Sequence, residues 1–310
     1  MVDYCTGGAM KTATVIVTYN RLALLKESIK AHLSQTRLTD ILLIVDNFST
    51  DGTQDYLEKL SREHDFVKIL FLNANTGGAG GFHAALNHLV NNKEEVDWVW
   101  LMDDDAIPDS CALEKLIQNA GSSTNIYGSL PHTNHNCSWP NLNLDKKPLE
   151  KIEDFEKIEE VTWVPFLGFY IHIGMIKKIG LPEKDFFLAA DDVEYSLRAR
   201  KHGAKIFIVR DSLLNHPCSE SCKIFIGFRY LNNLRLAPWK RYYDTRNRLF
   251  VSKKYYGWRY FFHTIPASFL RLFATLAHEQ DRLLQAKAFF AGLYDGITGR
   301  AGKRHDHWGL

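Results

Sequence analysis

Three adjacent carboxylates, Asp103, Asp104 and Asp105, directly follow the apolar run Trp98–Met102. Neighbouring carboxylates repel one another, so it is costly to leave all three ionised and unpaired. A hard divalent cation removes that repulsion by taking carboxylate oxygens as ligands. A solvated acidic turn, or a cap for a helix near Asp109, is the simpler alternative. The position directly after an apolar strand favours a metal site.

The segment Asn75–Phe82 (NTGGAGGF) carries four glycines within five positions. Glycine permits positive φ angles and close approach of the backbone to a ligand, and the amides of a helix N-terminus attract phosphate. The spacing matches neither the Walker loop nor the GxGxxG fingerprint. The segment therefore indicates either a phosphate-binding turn or a flexible surface turn.

Asp191 and Asp192 begin a segment with helical character. Carboxylates at a helix start gain from the helix dipole, so capping is one interpretation. The other is a general base that deprotonates a sugar hydroxyl.

His216 follows a later strand pattern and is either a solvated loop histidine or a nitrogen ligand of the same metal. Together with Cys218 and Cys222 it also raises the alternative of a zinc site, which lacks a fourth ligand at suitable spacing.

The elements that position these residues alternate in type along the first hundred residues. The apolar patterns predict strands at Thr12–Thr18, Ile41–Val45, Val67–Leu72 and Trp98–Met102, and helices at Arg21–Ser34, Asp51–Arg62 and Gly80–Val90. This βαβαβαβ order predicts a parallel sheet covered by helices. Ligands bind at the carboxyl ends of such strands. We therefore expect the polar residues that follow the four strands to share one rim.

The rest of the chain has a less regular pattern. Residues Asn119–Glu160 are polar and aperiodic, which predicts a loop. Val161–Ile173 has strand character, Asp192–His202 helical character, and Lys205–Val209 strand character. Beyond Pro238 the pattern predicts helices to about Gly299.

Composition describes an ordinary folded chain of 310 residues, 45% hydrophobic and 24% charged, with a net charge of +2. The five cysteines are odd in number and lack CxxC spacing, which argues against a disulfide framework and favours a reducing compartment. Near the C-terminus the longest uncharged apolar stretch, Tyr260–Leu270, is too short to span a bilayer.

The motifs in order are VIVTYNR, VDNFSTDGT, NTGGAGGF, MDDDAIP, WVPF and DDVEYSLRARKHG, followed by a histidine. This series resembles the inverting glycosyltransferase family 2, which has the nucleotide-sugar-binding GT-A fold. The resemblance runs from about Thr12 to His216. The glycine motif and WVPF, together with the later YYDTRN, resemble bacterial galactofuranosyltransferases, and some rhamnosyltransferases share part of the pattern.

The resemblance implies a role for each matching position. It implies that Mn²⁺ or Mg²⁺ is held by Asp103, Asp105 and His216, and that Asp192 is the catalytic base with Asp191 as its acidic neighbour. It assigns donor binding to Thr18, Asn20, Arg21, Asp46, Asn75, Gly77, Gly78, Asp103 and Asp104. Trp163 falls at the acceptor site. Galactofuranosyltransferases often have two adjacent tryptophans there, whereas this chain has Thr162-Trp163, which leaves the acceptor open.

The C-terminal third is basic and aromatic: residues 223–260 contain ten Lys or Arg and one acid, Asp244. That composition suits nucleic acid or an anionic membrane interface, and a solvated helix face is the plain alternative. After a glycosyltransferase domain the membrane is the better interpretation. We therefore expect a cytoplasmic enzyme, peripheral on the inner face of the cell membrane, with no nucleic-acid partner.

These observations predict an α/β protein with a GT-A fold, a Rossmann-like mostly parallel sheet with helices on both faces, followed by a C-terminal helical region. The predicted domains are residues 10–222 and 223–310. The predicted reaction is inverting transfer of galactofuranose from UDP-galactofuranose to a glycan, which is lipid-diphosphate-linked in many such enzymes. The alternatives are a rhamnosyltransferase using dTDP-rhamnose, a nucleotidyltransferase and a non-catalytic sugar-binding module. A homo-oligomer remains open.

Overall fold

The computed structural model describes residues 10–92, 95–145, 147–218, 220–225 and 230–310. Its first part alternates strand and helix as predicted: β1 Thr12–Thr18, α1 Leu22–Leu33, β2 Ile41–Asp46, α2 Thr53–Glu63, β3 Val67–Phe71, α3 Gly77–Asn91 and β4 Trp98–Asp103. These strands lie side by side in the order β3-β2-β1-β4 and are all parallel. The β-branched and apolar run of β1 is buried along its whole length, as expected for a central parallel strand.

The second part completes the sheet and adds a hairpin. Its elements are β5 Ile107–Pro108, α4 Ala112–Asn119, β6 Ile126–Thr133, β7 Asn136–Leu142, β8 Pro148–Lys151, β9 Ile158–Glu160, β10 Phe169–His172, α5 Ile173–Ile179, α6 Asp191–Lys201, β11 Ile206–Asn215, β12 Ser221–Phe225 and β13 Tyr230–Leu234. The sheet continues through β4-β10-β6-β11-β5, with β10 antiparallel to both neighbours. Strands β12 and β13 form a separate antiparallel pair, and the predicted division between residues 222 and 223 falls inside it.

Helices cover both faces of the sheet, as predicted. One face packs against α3, α5 and α6, through side chains such as Leu86, Ile176 and Tyr195. The opposite face packs against α1, α2 and α4, through side chains such as Ile29 and Leu57. The two apolar cores fix the sheet between the helix layers, so that its carboxyl edge is presented as one rim.

Two predictions for the middle of the chain were wrong. Residues Asn119–Glu160, predicted to be a loop, contain β6 to β9, and β6 lies inside the sheet between β10 and β11. The apolar signal of β6 is interrupted by Gly128 and Ser129, and β7 to β9 are short and largely polar. Within Val161–Ile173 only Phe169–His172 forms a strand. Pro165 lacks an amide proton, and Gly168 has a φ of 86°, so neither suits a regular ladder.

The C-terminal part is helical as predicted: α7 Pro238–Tyr255, α8 Ile265–His278 and α9 Arg282–Thr298, with a π-helical turn over Tyr260–Thr264. Helix α7 packs along α9 through Tyr242, Tyr243 and Ala288. None of the helices in the described ranges is both long and apolar enough to cross a bilayer.

Candidate active site

The ends of the parallel strands meet at one rim. Thr18 at the end of β1 lies opposite Asp46 of β2, and Val17 lies opposite Asp103 of β4. This register brings the polar residues that follow each strand to the same edge. The structure therefore assembles the rim that the sequence predicted.

The carboxylate triplet is bound by two residues from the first strand–helix junction. Thr18 donates its hydroxyl to Asp104, with Oγ1 2.7 Å from Oδ2. Arg21 places Nη1 3.2 Å from Asp104 and 2.7 Å from Asp105. Asp104 is buried. Thr18 and Arg21, predicted to touch the nucleotide, thus hold the triplet in this structure.

His216 reaches the triplet because β11 runs further than predicted. After an irregularity between Val209 and Leu213, β11 continues and pairs with β5, the two-residue strand that directly follows the triplet. His216 Nε2 consequently lies 3.4 Å from Asp105 Oδ1. The histidine backbone is held by His132, whose carbonyl accepts its amide proton at 2.9 Å. Two predicted metal ligands that are far apart in the sequence, Asp105 and His216, are therefore adjacent.

Burial and neighbouring charges shift the pKa values of these acids in different directions. Burial, followed by the charges of Asp105, Asp104 and Asp191, raises the pKa of Asp103 well above its ordinary value. Burial also opposes ionisation of Asp105, but the hydrogen bond and charge of His216, together with Arg21, lower its pKa overall. The rim therefore holds more carboxylate than its own cations neutralise.

In the described ranges, no group of three or more His, Cys, Asp or Glu side chains is arranged to hold a metal ion. Asp105 forms an ion pair with Arg21, whose Nη1 lies 2.7 Å from Asp105 Oδ2. The residue types nevertheless suit a divalent cation, because the Asp105 carboxylate and the His216 imidazole lie 3.4 Å apart, and burial, followed by the charges of Asp105 and Asp104, raises the pKa of Asp103.

Other residues that were predicted to bind the nucleotide-sugar donor stabilise the rim. Asp46 is fully buried and accepts the backbone amide of Ser49 and, at 3.1 Å, the side-chain amide of Gln54. Asn20, at a φ of 52°, accepts the backbone amide of Thr50 at 2.7 Å. These bonds tie the loops after β1 and β2 together.

The glycine-rich segment is mostly the start of a tightly packed helix. Helix α3 begins at Gly77, not at Gly80 as predicted. A Cβ at Gly77, whose φ is 72°, would overlap the Phe187 carbonyl, and one at Gly81 would overlap Val17. Gly78 has nothing within 4 Å of an added Cβ. Gly78 is therefore the glycine of this segment that faces open space.

Asn75 and Asn47 fix this helix start. Asn75 accepts the amide of Gly77 at 2.9 Å. Asn47, at the end of β2, donates to the Gly77 carbonyl at 2.9 Å and accepts from the Thr76 amide. Sequence reasoning noted Asn47 as polar but gave it no role, since its position alone does not reveal that it joins two loops.

Asp191 and Asp192 begin α6 directly after Ala190, which has a φ of 63°. Burial and the charge of Asp192 raise the pKa of Asp191 to about 8. Burial also raises the pKa of Asp192, to about 6, with backbone amides such as that of Val193 limiting the rise. Asp192 is thus the member of the pair that is ionised at neutral pH.

Residues 14–177, more than half of the chain, match the model of the family described as Glycosyl transferase family 2. The chain belongs to glycosyl transferase family 2. This confirms the resemblance and decides against a nucleotidyltransferase.

Two curated members of family 2 are similar over most of their length. Galactofuranosyltransferase GlfT1 of Mycolicibacterium smegmatis is 26% identical over 248 residues, covering 76% of this chain and 80% of that protein. The GalNAc(5)-diNAcBac-PP-undecaprenol beta-1,3-glucosyltransferase of Campylobacter jejuni is 24% identical over 267 residues, covering 80% of this chain and 82% of that protein.

The solved structure of GalNAc-T7 with UDP, GalNAc and Mn²⁺ superposes with a TM-score of 0.62 at 12% identity. It covers 95% of this chain, but this chain spans only 58% of that longer one. This likeness shows that the chain shares the fold of that structure, and the GT-A prediction is confirmed.

Two further segments, from outside the rim, contact α6 or the turn before it. The segment containing Trp163 approaches α6, where the Val164 amide lies 3.5 Å from Ser196 Oγ. Trp163 itself is partly exposed. Arg246 and Asn247 of α7 are fully buried against the turn that precedes Asp191. They belong to the YYDTRN motif, but a helical pattern does not reveal contacts sixty residues away.

Proposed function

We propose that this chain transfers galactofuranose from UDP-galactofuranose to a glycan acceptor, with inversion and with a divalent metal. The observation that carries the proposal is the placement of the Asp191-Asp192 helix start beside the triplet, where the charge of Asp191 contributes to the raised pKa of Asp103. A base and a diphosphate site are then adjacent, as a transfer reaction requires. The similarity to GlfT1 supports the choice of sugar.

In this proposal Asp192 is the general base. Its pKa of about 6 leaves it ionised at neutral pH, yet makes it more basic than an ordinary aspartate. It takes the proton of the acceptor hydroxyl as the new bond forms on the face of the sugar opposite the leaving diphosphate. A single displacement of this kind inverts the anomeric centre.

The leaving group lies on the other side of the site. We assign Mn²⁺ or Mg²⁺ binding to Asp103, Asp105 and His216; a cation held there would supply positive charge against the leaving diphosphate. Thr18 supports the triplet through its member Asp104, with the two side-chain oxygens 2.7 Å apart. Asn20, Asp46 and Asn75 shape the loops around the nucleotide, while Gly78 leaves room for the donor.

Trp163 is the proposed acceptor contact, since its segment packs against the helix that carries Asp192. The Campylobacter jejuni relative is described as acting on a diphosphate-linked undecaprenol glycan. We therefore propose a lipid-diphosphate-linked acceptor. Docking of this cytoplasmic enzyme on the inner face of the membrane follows from that proposal.

The described C-terminal helices change the basis for membrane docking. Several of the basic residues are not free: Lys254 pairs with Glu194, Arg241 with Glu279 and Arg248 with Asp244. The same region instead exposes an apolar face, defined as Trp258, Phe261, Phe262, Phe269 and Phe273. Exposed Lys253 and Arg259 flank its first part. Apolar contact with an anionic bilayer, supplemented by these two cations, is the proposed mode of attachment.

A donor screen tests the function. UDP-galactofuranose, UDP-galactopyranose, UDP-glucose and dTDP-rhamnose are each offered with Mn²⁺, Mg²⁺ or EDTA, and nucleotide release and transfer product are measured. We expect consumption of UDP-galactofuranose with metal, and loss of transfer and weaker UDP binding in Asp105→Ala. Turnover of dTDP-rhamnose alone would make the chain a rhamnosyltransferase, and full activity in EDTA would contradict the metal assignment.

A further inference from the structure

The turn that leads into α6 has a backbone that its residues do not prefer. Phe187, Ala189 and Ala190 have φ angles of 64°, 69° and 63°. Side chains with a Cβ rarely adopt this left-handed region, because the Cβ crowds the following carbonyl. Three such residues within four positions persist only where the surrounding structure holds them. Asp191 and Asp192 follow immediately, so their direction depends on this turn.

Asn247 of α7 holds the turn through a single nitrogen. Its Nδ2 lies 2.9, 2.7 and 2.9 Å from the carbonyl oxygens of Phe186, Leu188 and Ala189, which share its two protons. The Asn247 side chain is fully buried, and its Oδ1 accepts from Arg246 Nε at 2.9 Å. The three carbonyls belong to the residue before the first left-handed residue and to two residues within the turn, so one amide group holds most of the turn.

Arg246 holds the same turn from its other end. Its Nη2 lies 2.8 Å from the Phe186 carbonyl and 3.2 Å from that of Asp185. Its Nη1 donates to the Gly302 carbonyl at 2.6 Å. The guanidinium is fully buried among aromatic rings, and the described residues give it no carboxylate partner within ion-pair distance. Burying the guanidinium charge against carbonyls costs desolvation free energy, so it contributes little net stability. The planar guanidinium nevertheless fixes the positions of the carbonyls that it binds.

The turn also contacts the predicted donor side of the site. The Phe187 carbonyl accepts the amide of Ala79 at 3.2 Å, and a Cβ at Gly77 would overlap that same carbonyl. The turn therefore lies between the glycine-rich start of α3 and the start of α6. A shift of the turn would change the distance between the donor and the base.

We infer that Arg246 and Asn247 are positioning residues that set the direction of Asp192 through the turn at residues 186–190. The inference rests on the proposed role of Asp192 as base. Without the two side chains the turn relaxes toward negative φ angles and the carboxylate moves away from the acceptor hydroxyl. A misplacement of about 1 Å costs up to about a hundredfold in rate. The polar residues at the ends of β1, β2 and β4 lie outside the turn, so we expect donor affinity to change less than turnover.

The test compares Asn247→Ala and Arg246→Lys with Arg241→Lys. Arg241 lies on the same helix and is also buried, but it bonds Leu234, Glu279 and Gln285 and makes no bond to the turn. Melting temperature, kcat and donor KM are measured for each variant, well below its melting temperature. We expect kcat to fall at least about tenfold in the first two, with donor KM within about twofold, and to stay near wild type in Arg241→Lys.

Wild-type kcat in folded Asn247→Ala and Arg246→Lys would overturn the inference. So would an equal loss of kcat in Arg241→Lys, because the effect would then belong to α7 in general. If Asn247→Ala does not fold, the Arg246→Lys and Arg241→Lys pair decides. Asp192→Asn is assayed in parallel. Wild-type turnover in Asp192→Asn would refute the base assignment itself. Loss of turnover in Asp192→Asn, while Arg246→Lys and Asn247→Ala stay active, would refute only the positioning role.

Discussion

Asp191 and Asp192 have the same side chain and adjacent positions, yet differ in titration. The buried Asp191 has its pKa raised to about 8, and Asp192 to about 6. The two carboxyls therefore titrate as a pair in which Asp191 holds its proton more tightly than Asp192. The family resemblance implies Asp192 as the base and Asp191 as its acidic neighbour; that assignment stays a prediction, and this difference in pKa supports it.

We expect Asp192→Asn to cut turnover by a factor of about 10² or more while donor binding stays near normal, because a general base acts in the chemical step. Asp191→Asn should have a smaller effect, since a protonated aspartate and an asparagine carry the same charge. Steady-state kinetics and donor titration check both variants. Wild-type turnover in Asp192→Asn, together with its loss in Asp191→Asn, would reverse the assignment.

The raised pKa of Asp191 also predicts how stability depends on pH. Above the unfolded-state pKa of about 4 the unfolded chain has lost this proton, while the folded chain keeps it up to about pH 8. The folded state then binds more protons, so the free energy of unfolding decreases as pH rises through this window. We expect the melting temperature in EDTA to fall from pH 5 to pH 8.

Asp191→Asn removes the ionisable group and should flatten this decline. Thermal melts of both proteins in EDTA, at several pH values, provide the comparison. Identical pH dependence of the two melting temperatures would show that Asp191 is not the group responsible.

At the scale of elements, the sequence predicted most of the rim because each parallel strand is an apolar run that ends in polar residues. The register of β1, β2 and β4 then follows from their burial on both faces. What the pattern could not reveal is which polar residues bond each other. Thr18, Asn20 and Asp46 were predicted to contact the donor, and in the structure they bind Asp104, Thr50 and Ser49. Loop conformation, which determines these bonds, has no periodic signal.

Two glycines of α3, Gly81 and Gly78, allow the effects of packing and of donor binding to be tested separately. Gly81→Ala places a methyl group against Val17 and should destabilise the fold by about 1–3 kcal/mol, as overpacking does. Gly78→Ala meets no atom within 4 Å and should leave the melting temperature unchanged or slightly raised. If Gly78 faces the donor, its added methyl group weakens UDP-sugar affinity.

Thermal melts and calorimetric titration with UDP check this pair. Unchanged UDP and donor affinity in Gly78→Ala would place the donor elsewhere on the rim. A wild-type melting temperature in Gly81→Ala would contradict the close packing of α3 on β1.

At the scale of the whole molecule, the apolar face of the C-terminal helices is large for a surface in contact with water. The exposed fractions of Trp258, Phe262 and Phe273 are 70%, 76% and 72%. Phe269 and Phe273 are four residues apart on α8 and so share one side of the helix. Aromatic residues at this density favour the interface of a bilayer.

We expect the protein to co-sediment with anionic vesicles at low salt. Reversing the charge of Lys253 and Arg259 should make binding weaker and less sensitive to salt. Replacing Trp258 and Phe262 by serine should weaken it at all salt concentrations. Lys254 is unsuitable for this test, because it bonds Glu183 and Glu194 and its reversal would disturb α6. If the intact protein ignores anionic vesicles at low salt, the apolar face has another partner.

The contact between α7 and the turn before α6 bears on how such enzymes can be recombined. Helix α7, which precedes the exposed apolar face in the chain, supplies the side chains that hold the turn before Asp191 and Asp192. A chimera that joins residues 10–222 to the C-terminal region of a different transferase would replace the exposed apolar face and the α7 side chains at once. Its turnover would depend on whether the incoming helix has an arginine and an asparagine at the matching positions. Engineering a new acceptor or anchor onto this catalytic half therefore requires grafting surface residues onto the native α7, rather than replacing the helix.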